Sequence, residues 1–147
     1  MITIRRATIG DIDNLANLFN QYIIFYRQPS DLASCTKFLK ERLVNNEATA
    51  FIASMDEEDI GFTLLYPSFS SVSRQRVFVL NDLFVDNRFR NKGVATLLMN
   101  RAVEYGRNNG AIRLHLETEV SNTSAQALYE KEGWSKETAA FHYSYTL

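Results

Sequence analysis

Cysteine is nearly absent from this sequence, since Cys35 is the only one among 147 residues. A lone cysteine excludes an internal disulfide and favours a reducing compartment. No stretch approaches ~18 uninterrupted apolar residues, so no membrane-spanning helix is predicted. Residues 1–6 also lack the apolar core of a secretory signal peptide. These absences predict a soluble, cytoplasmic protein.

A strong excess of either charge is missing as well. The chain carries 16 Lys and Arg against 17 Asp and Glu, which gives a formal net charge of −1. This balance does not favour general nucleic-acid binding, which requires a basic domain. His115 and His142 lie far apart in the sequence, with no Cys or carboxylate at metal-ligand spacing near them. Neither a metal site nor a nucleophile that pairs Cys35 with a histidine is therefore predicted.

The sequence does contain enough apolar residues for one packed domain. Hydrophobic residues make up 46% of the 147 residues, and aromatic residues make up 12%. Typical domains have ~100–150 residues, and we expect a single domain over residues 1–147. The spacing of the apolar residues predicts an α/β protein with a mixed sheet and about four helices.

The predicted elements follow one another in the order β-α-α-β-β-β-α-β-α-β. The strands are predicted at residues 2–5, 48–55, 60–66, 76–85 and 111–118, with Pro67 ending the third one before a polar loop. The fourth and fifth strands are expected to be parallel, because a helix connects them. A closing strand is predicted after Trp134 from alternating apolar residues, namely Phe141, Tyr143, Tyr145 and Leu147.

The most informative stretch is the passage from the fourth strand to the third helix. Residues 90–95 lie at the predicted helix N-terminus, where backbone N–H groups lack partners and the helix dipole is positive. Gly93 lets a ligand approach the backbone, and Arg90 and Lys92 add positive charge. These features favour a phosphate site. A plain turn glycine is the alternative, and neither G-x-x-x-x-G-K-[ST] nor G-x-G-x-x-G occurs in the sequence.

Two motifs resemble those of the GNAT superfamily of N-acetyltransferases. Arg90-x-x-Gly93-x-Ala95 is similar to the motif [QR]-x-x-G-x-[GA], whose backbone amides hold the pyrophosphate of acetyl-coenzyme A in that family. Residues 122–134 read NTSAQALYEKEGW and resemble the motif N-x-x-A-x-x-x-Y-x-x-x-G-[FW]. The two motifs occur in the family's order, and the resemblance extends over essentially the whole chain.

The resemblance implies the GNAT fold, with acetyl-coenzyme A in the splay between the fourth and fifth strands. It implies direct transfer of an acetyl group to a primary amine of a small molecule, either polyamine-like or amino-acid-like. A protein lysine or N-terminal acetyltransferase is an alternative, as is a non-catalytic sensor of acyl-coenzyme A. Such enzymes commonly dimerise, so a homodimer is expected, and the aromatic C-terminal strand could offer an edge for it.

The resemblance also assigns residues to the cofactor. Backbone groups of the fourth strand are expected beside the pantetheine arm, and the turn around Gly93 is expected to cradle the pyrophosphate. Asn122 would bond the pantetheine, although it could equally be a helix N-cap. The full predicted set is Leu83, Phe84, Val85, Arg90, Asn91, Lys92, Gly93, Val94, Ala95, Thr96, Asn122, Ser124 and Tyr129.

Acetylation of an alkyl amine requires that a proton is removed from the ammonium group and that one is given to the leaving thiolate. With a pKa near 10.4, only about one amine in 2,500 is uncharged at pH 7. Tyr129, at the family's conserved tyrosine position, is the predicted acid, since a phenol with a pKa near 10 can protonate a thiolate with a pKa of about 8.5. The alternative is a core aromatic residue on a short helix.

The general base is left open by the sequence. The sequence of the strand before the turn resembles that of the polyamine and diamine acetyltransferases, which are one branch of the family. Those enzymes have Glu-Asp where this chain has Asn81-Asp82. An amide is not a base, so Asp82, or Glu117 or Glu119 through a water, would have to serve. Asp82 could instead hold an ammonium group or form a structural ion pair with Arg76.

The acceptor pocket is expected between the first two helices and the loop after the third strand. Aromatic faces beside a carboxylate suit an ammonium group, by an attraction of ~0.5–2 kcal/mol. The predicted substrate-binding residues are Tyr22, Tyr26, Tyr66, Asn81, Asp82, Glu117 and Glu119, with Ser68 as a further wall. Tyr22 and Tyr26 also lie on the apolar face of their helix, so a role in the core is the alternative.

Overall fold

The computed structural model describes all residues from 1 to 147. Its strands are β1 (Ile2–Arg6), β2 (Thr49–Met55), β3 (Glu58–Ser70), β4 (Gln75–Val85) and β5 (Ala111–His115). Its α-helices are α1 (Ile12–Phe25), α2 (Leu32–Val44), α3 (Val94–Asn108) and α4 (Thr123–Lys131). The chain comprises two compact units, residues 1–116 and residues 117–147, and each is described by itself below.

The first unit contains one five-stranded sheet in the order β1-β2-β3-β4-β5. Strands β1 to β4 are antiparallel neighbours, and β5 is parallel to β4. The parallel pair follows from the crossover through α3, because two parallel strands cannot be joined by a tight hairpin. The predicted mixed sheet and its strand order through β5 are therefore confirmed.

The core of the first unit forms where α1, α2 and α3 cover the sheet. Its fully buried side chains come from helices and strands alike, and include Leu15, Leu39, Ile52, Phe62, Leu64 and Leu98. Burying a side chain of this kind contributes roughly 1.5–3 kcal/mol relative to leaving it exposed. None of the helices has both the length and the apolar character that crossing a bilayer requires.

Polar side chains satisfy backbone groups at the starts of the first two helices. Thr8 precedes a single 3-10 turn that leads into α1, and its backbone N–H donates to the Asp11 carboxylate at 2.9 Å. Asp31 caps α2 by accepting from the backbone N–H of Ser34 at 3.0 Å. These caps satisfy N–H groups that have no carbonyl partner within their own helix.

Strand β3 is longer than predicted, and the expected stop at Pro67 is wrong. Pro67 lies within the strand opposite Phe78 of β4, and pairing continues to Ser70. On the other side of β3, pairing with β2 ends at Leu65. Pro67 therefore stands where β3 has a neighbour on one side only, and its missing N–H removes no bond from the β2 ladder.

The acidic residues 56–59 lie in two different elements, because Asp56 and Glu57 form an exposed turn and Glu58 and Asp59 begin β3. Asp59 belongs to β3, and its carboxylate lies 2.8 Å from the Arg5 guanidinium, with its side chain only 11% exposed. The pKa of Asp59 is lowered, chiefly by the hydrogen bonds from Arg5. The ion pair thus stabilises the ionised form at the start of the sheet.

The chain ends differently from the prediction. Strand β5 stops at His115 rather than Thr118, and no residue after Lys131 belongs to a strand. The alternating side chains of the predicted closing strand are about 90% exposed or more. A strand requires a partner for its backbone groups as well as an alternating pattern of side chains, so the pattern alone does not determine a strand.

Candidate functional site

The turn before α3 has the backbone geometry expected of an anion site. Gly93 is the N-cap residue of α3 and has a φ of +81°, in the left-handed region that glycine adopts without strain. No heavy atom lies within 4 Å of the position that a Cβ on Gly93 would occupy. Asn91, two residues earlier, also has a positive φ of 62°. The turn is therefore open where the first N–H groups of α3 lack helical partners.

The charges around this turn are favourable for an anion. The first turn of α3 contains no acidic residue. Asp86, at the end of β4, is buried, but its carboxylate is paired with Arg88 at 3.0 Å. The pKa of Asp86 is lowered, first by the hydrogen bond from Arg88. Arg88 also pairs with Glu58, and the charge of Arg90 acts on Asp86 as well. The two arginines balance the two carboxylates, which leaves Lys92 and the helix dipole as positive charge at the turn.

Arg90 connects the turn to β4. Its Nε donates to the backbone carbonyl of Val85 at 3.1 Å. Its guanidinium carbon lies 4.9 Å from the centroid of the Phe25 ring and 5.8 Å from that of Phe84. Phe25 was not among the predicted site residues. Its position at the end of the first helix carried no signal, because its contact with Arg90 exists only in the folded chain.

The second half of β4 has a free side. The pairing between β4 and β5 ends at Val79 opposite His115, so residues 80–85 have no parallel partner. The Asp86 N–H donates to Ile60 of β3 at 2.8 Å. Because backbone groups alternate along a strand, those of Leu83 and Val85 point away from β3. The Arg90 bond to Val85 agrees with this. The first unit thus presents free backbone groups where the sequence predicted the splay beside the pantetheine arm.

Asp82 is the buried carboxylate of the first unit that has no cationic partner. It is 5% exposed, and its Oδ2 accepts from Asn81 Nδ2 at 3.1 Å. A hydrogen bond from Tyr22 also favours the ionised form. Burial has the larger effect and raises the pKa of Asp82. The ion pair with Arg76 is not formed, because the Arg76 guanidinium lies over the rings of Phe69 and Phe78 at 5.2 and 5.8 Å.

Two tyrosines, Tyr22 and Tyr66, interact with this carboxylate, and Tyr26 contacts the first of them. Burial, followed by the charge of Asp82, raises the pKa of Tyr66 to about 12, so its phenol remains a hydrogen-bond donor. The Tyr22 ring packs in the core, with its centroid 5.7 Å from Phe62 and 6.1 Å from Phe84. Tyr26 contacts Tyr22 at 5.0 Å and is 40% exposed. Tyr22 therefore fits both alternatives, since its ring is part of the core while its hydroxyl bonds Asp82.

A backbone contact that the sequence did not indicate holds Asp82 in place. The buried Thr63 Oγ1 donates to the carbonyl of Asp82 at 2.8 Å. This bond joins β3 to β4 next to the shift in register between Leu64 and Leu65. Threonine is common in strands for its shape alone, so nothing in the sequence separated Thr63 from an ordinary strand residue.

The remaining predicted residues belong to the second unit. Asn122 is the N-cap of α4, with its Oδ1 accepting from Ala125 at 3.2 Å, so its capping role is confirmed. The ring centroids of Tyr129 and Trp134 are 6.4 Å apart. Ser124 and Glu119 are exposed. Glu117 is 81% exposed at its side chain and lies 3.6 Å from His142. The roles of these residues in binding and catalysis stay predictions.

Residues 12–134 match the profile of the acetyltransferase (GNAT) family. The chain belongs to that family. It is 48% identical over 142 residues to the uncharacterised N-acetyltransferase YhfO of Bacillus subtilis, covering 97% of this chain and 95% of that protein. A crystal structure of a probable acetyltransferase is 39% identical, with a TM-score of 0.92, and the match covers 99% of this chain and 97% of that one. The predicted family and GNAT fold are confirmed.

A more distant relative has a named activity. The thialysine N-epsilon-acetyltransferase of Caenorhabditis elegans is 27% identical over 137 residues, with 87% of this chain and 85% of that protein covered. The GNAT acetyltransferase described here is thus an acyltransferase that uses acetyl-coenzyme A as its acyl donor. The open turn at Gly93 and the positive charge beside it fit the diphosphate of that donor. No group of three or more His, Cys, Asp and Glu residues is placed to hold a metal ion.

Proposed function

We propose that this GNAT acetyltransferase transfers the acetyl group directly to a primary amine of a small cationic molecule, polyamine-like or amino-acid-like. The observation that supports the proposal most is the burial of the Asp82 carboxylate without a cationic partner. A carboxylate that is 5% exposed and has no cationic partner is unfavourable in a folded protein. An acceptor ammonium group would supply the missing charge, which is a reason for the site to bind an amine.

The side chains around Asp82 suit such an acceptor. Tyr22 and Tyr26 offer aromatic faces, and these attract a cation by about 0.5–2 kcal/mol each. Asn81 is exposed and already bonds Asp82, so it would contact the amine beside the carboxylate rather than act as a base. Tyr66 keeps its proton and can donate to a polar group of the acceptor. A compact aromatic and acidic site of this kind fits a small amine better than an extended peptide.

Asp82 is also the proposed general base. A base works best when its pKa lies near the working pH, and burial moves the pKa of Asp82 upward from the ordinary value of 3.8. The carboxylate would first pair with the ammonium and then accept its proton. Glu117 and Glu119 are weaker candidates, since both are exposed and Glu117 lies against His142.

The donor and the acid complete the proposed chemistry. The thioester of acetyl-coenzyme A supplies an activated acetyl group. The N–H groups at the start of α3 and the backbone groups of Leu83 and Val85 that no strand pairs would hold and orient it. Tyr129 Oη would hold the proton that the leaving sulfur must receive. Asn122 would contact the pantetheine with its amide nitrogen, because its Oδ1 is used in the cap.

The thialysine acetyltransferase supports an amino-acid-like acceptor, since its name places the acetyl group on a side-chain amine of a small molecule. We place the enzyme in the cytoplasm, which agrees with the free and buried thiol of Cys35. We also propose that it acts as a homodimer. The exposed aromatic side chains of the C-terminal segment support this, because soluble monomers rarely expose large apolar patches.

An amine panel tests the proposal. Purified protein with acetyl-coenzyme A is given diamines, polyamines, lysine, thialysine, aminoglycosides, and peptides with a free N-terminus or lysine, and thiol release is measured. We expect the highest kcat/KM with a small diamine or basic amino acid. Turnover that is faster with the peptides would refute the small-molecule assignment. The Asp82→Asn variant in the same panel separates the acceptor site from slow hydrolysis of the donor.

A further inference from the structure

A cavity of about 220 Å³ lies between the sheet and the second half of α3 in the first unit. Tyr105 lines it, and from Gly93 to Tyr105 the helix rises by roughly 18 Å. Arg76 also lines it, and from Arg76 to Asp82 strand β4 rises by roughly 20 Å. The cavity is therefore separate from the turn before α3 and from the surroundings of Asp82. The lining residues that matter below are Arg6, Asn46, Thr49, Arg76, Phe78 and Tyr105.

The two arginines of this cavity have no carboxylate partner. The lining contains neither Asp nor Glu, and no ion pair joins Arg6 or Arg76 to a carboxylate of residues 1–116. The acidic residues next to the lining in the sequence do not balance them. Glu47 pairs with Arg42 at 3.3 Å, and Glu104 is exposed on α3. The cavity thus has an uncompensated positive charge.

Aromatic rings hold both guanidinium groups by their flat faces. The Arg6 Cζ lies 5.1 Å from the centroid of the Tyr105 ring, and the Arg76 Cζ lies 5.8 Å from that of Phe78. Stacking of this kind uses the face of the guanidinium and leaves the N–H donors at its edge. Arg6 uses one of them in a long hydrogen bond of 3.4 Å to Thr49 Oγ1. The other edge donors are available to a ligand with several acceptor oxygens.

A pair of hydroxyl groups supplies a further donor. Thr49 is 7% exposed, and its Oγ1 lies 3.1 Å from the Oη of Tyr105. Only one of two hydroxyls donates in such a hydrogen bond, so one O–H of the pair remains for a ligand. The exposed Asn46 can add the N–H groups of its side-chain amide. The cavity therefore offers positive charge together with neutral donors.

We propose that this cavity binds the phosphate group of a small molecule other than acetyl-coenzyme A. A phosphate group carries a charge of about −1.5 to −2 at pH 7 and has three strong acceptor oxygens, which suits two guanidinium groups and the neutral donors. A single carboxylate is already satisfied by one arginine in a bidentate pair. The volume far exceeds the ~10–15 Å³ that one water requires, so part of the molecule that carries the phosphate also fits. The proposal does not depend on which amine is acetylated.

The first experiment locates phosphate binding in the enzyme saturated with coenzyme A, which occupies the turn before α3. Inorganic phosphate is titrated at constant ionic strength, with chloride as the reference, and backbone amide shifts are recorded by NMR. We expect saturable shifts at Thr49 and Tyr105 that chloride does not produce. Shifts that do not saturate, or saturable shifts confined to the Gly93 turn, would overturn the proposal.

The second experiment measures the same binding in variants. Arg6→Gln and Arg76→Gln should each raise the Kd for phosphate about tenfold or more, since each removes charged donors. Arg76→Lys keeps the charge but not the forked geometry, so its Kd should lie between those of the wild type and Arg76→Gln. Arg107→Gln is the matched control, because Arg107 is exposed and lies two positions after Tyr105, on another side of α3. An equal rise of Kd in the control would assign the binding to general charge attraction and refute the site.

The third experiment separates phosphate from other anions and from the acetyl transfer. Succinate, a dicarboxylate, replaces phosphate in the titration, and we expect it to bind more weakly. Tighter binding of succinate would refute the assignment to phosphate. Thiol release with the amine panel is measured on the same preparations. A failure to acetylate small amines would leave the phosphate titration unchanged, so the two proposals fail separately.

Discussion

Asp82 lies on β4 and the Gly93 turn follows that strand, but the two regions are built in different ways. The turn consists of consecutive residues and acts through backbone groups, a positive φ and a helix end. The Asp82 cluster consists of side chains from α1, β3 and β4 and acts through burial. The comparison suggests that donor binding tolerates many side-chain changes, whereas acceptor chemistry depends on individual groups.

Asp82→Asn is the strongest test of the difference between the two regions. The variant keeps the shape but removes the proposed base and ammonium partner, so kcat/KM for the amine should fall about 10²–10⁴-fold. The affinity for acetyl-coenzyme A, measured by calorimetry, should change less than about twofold because the turn is intact. Loss of donor affinity as large as the loss of rate would show that the two regions are not separate.

The same variant should be no less stable at neutral pH. The folded-state pKa of Asp82 is raised, so its contribution to stability is largest below the unfolded pKa of 3.8 and is lost as pH rises through the folded pKa. The variant has a neutral amide at this position at every pH, so its stability does not fall as the carboxyl group ionises. Thermal unfolding of both proteins between pH 4 and pH 8 should show an advantage of Asp82→Asn that grows with pH, and a constant difference would contradict this reading.

A second change extends the comparison to the other unit. Tyr129→Phe keeps the ring beside Trp134 and removes only the hydroxyl. If Tyr129 supplies the proton, kcat should fall about 10²-fold while donor affinity stays within about twofold. Tyr143→Phe removes an exposed hydroxyl from a different part of the same unit and serves as the control. An unchanged kcat in Tyr129→Phe would remove this residue from the proposed mechanism.

Gly93→Ala tests the role of the backbone N–H groups at the turn in binding the donor. No atom lies within 4 Å of the new Cβ, so the fold should persist with a loss of about 1 kcal/mol from the positive φ. The Cβ would narrow the approach to the N–H groups, and KM for acetyl-coenzyme A should rise about tenfold, a difference of about 1.4 kcal/mol. Gly110→Ala is a close control, since Gly110 also has a positive φ of 74° and no neighbour at its Cβ position. An equal change in KM for both variants would assign the effect to strain alone.

The smallest expected effect is a shift in the pH profile. The kcat/KM for the amine should rise with pH as Asp82 ionises and should follow its raised pKa. Tyr22→Phe removes a hydrogen bond that favours the ionised form, so the rising limb should move to higher pH by about half a unit. Tyr26→Phe, at the C-cap of the same helix, is the matched control. A limb that moves to lower pH in Tyr22→Phe would exclude Asp82 as the titrating base.

Much of the donor side could be predicted from the sequence because its determinants are local. Gly93 and the helical spacing after it belong to one short stretch, and the capping residues Asp31 and Asn122 act on N–H groups three residues away. The parallel β4–β5 pair followed from the helix between the strands. These features depend on neighbours in the chain, which a sequence displays directly.

The acceptor side and the chain end required the folded structure. The three alternatives for Asp82 had equal standing in the sequence, and one was removed only when Arg76 proved to lie over Phe69 and Phe78. Pro67 predicted a strand end, because a proline cannot donate to a neighbouring strand. At that point β3 is paired on one side only, and this is a property of the folded sheet.

By itself the sequence determined the order of helices and strands through α4, the Asn122 cap, the position of the turn at Gly93 and the family. The tertiary structure alone decided how deeply Asp82 is buried, which hydroxyls reach it, and that β3 continues through Pro67. The physical reason is the range of the interactions. Backbone conformation and capping are set within a few residues, whereas desolvation and strand pairing depend on groups that only folding brings together.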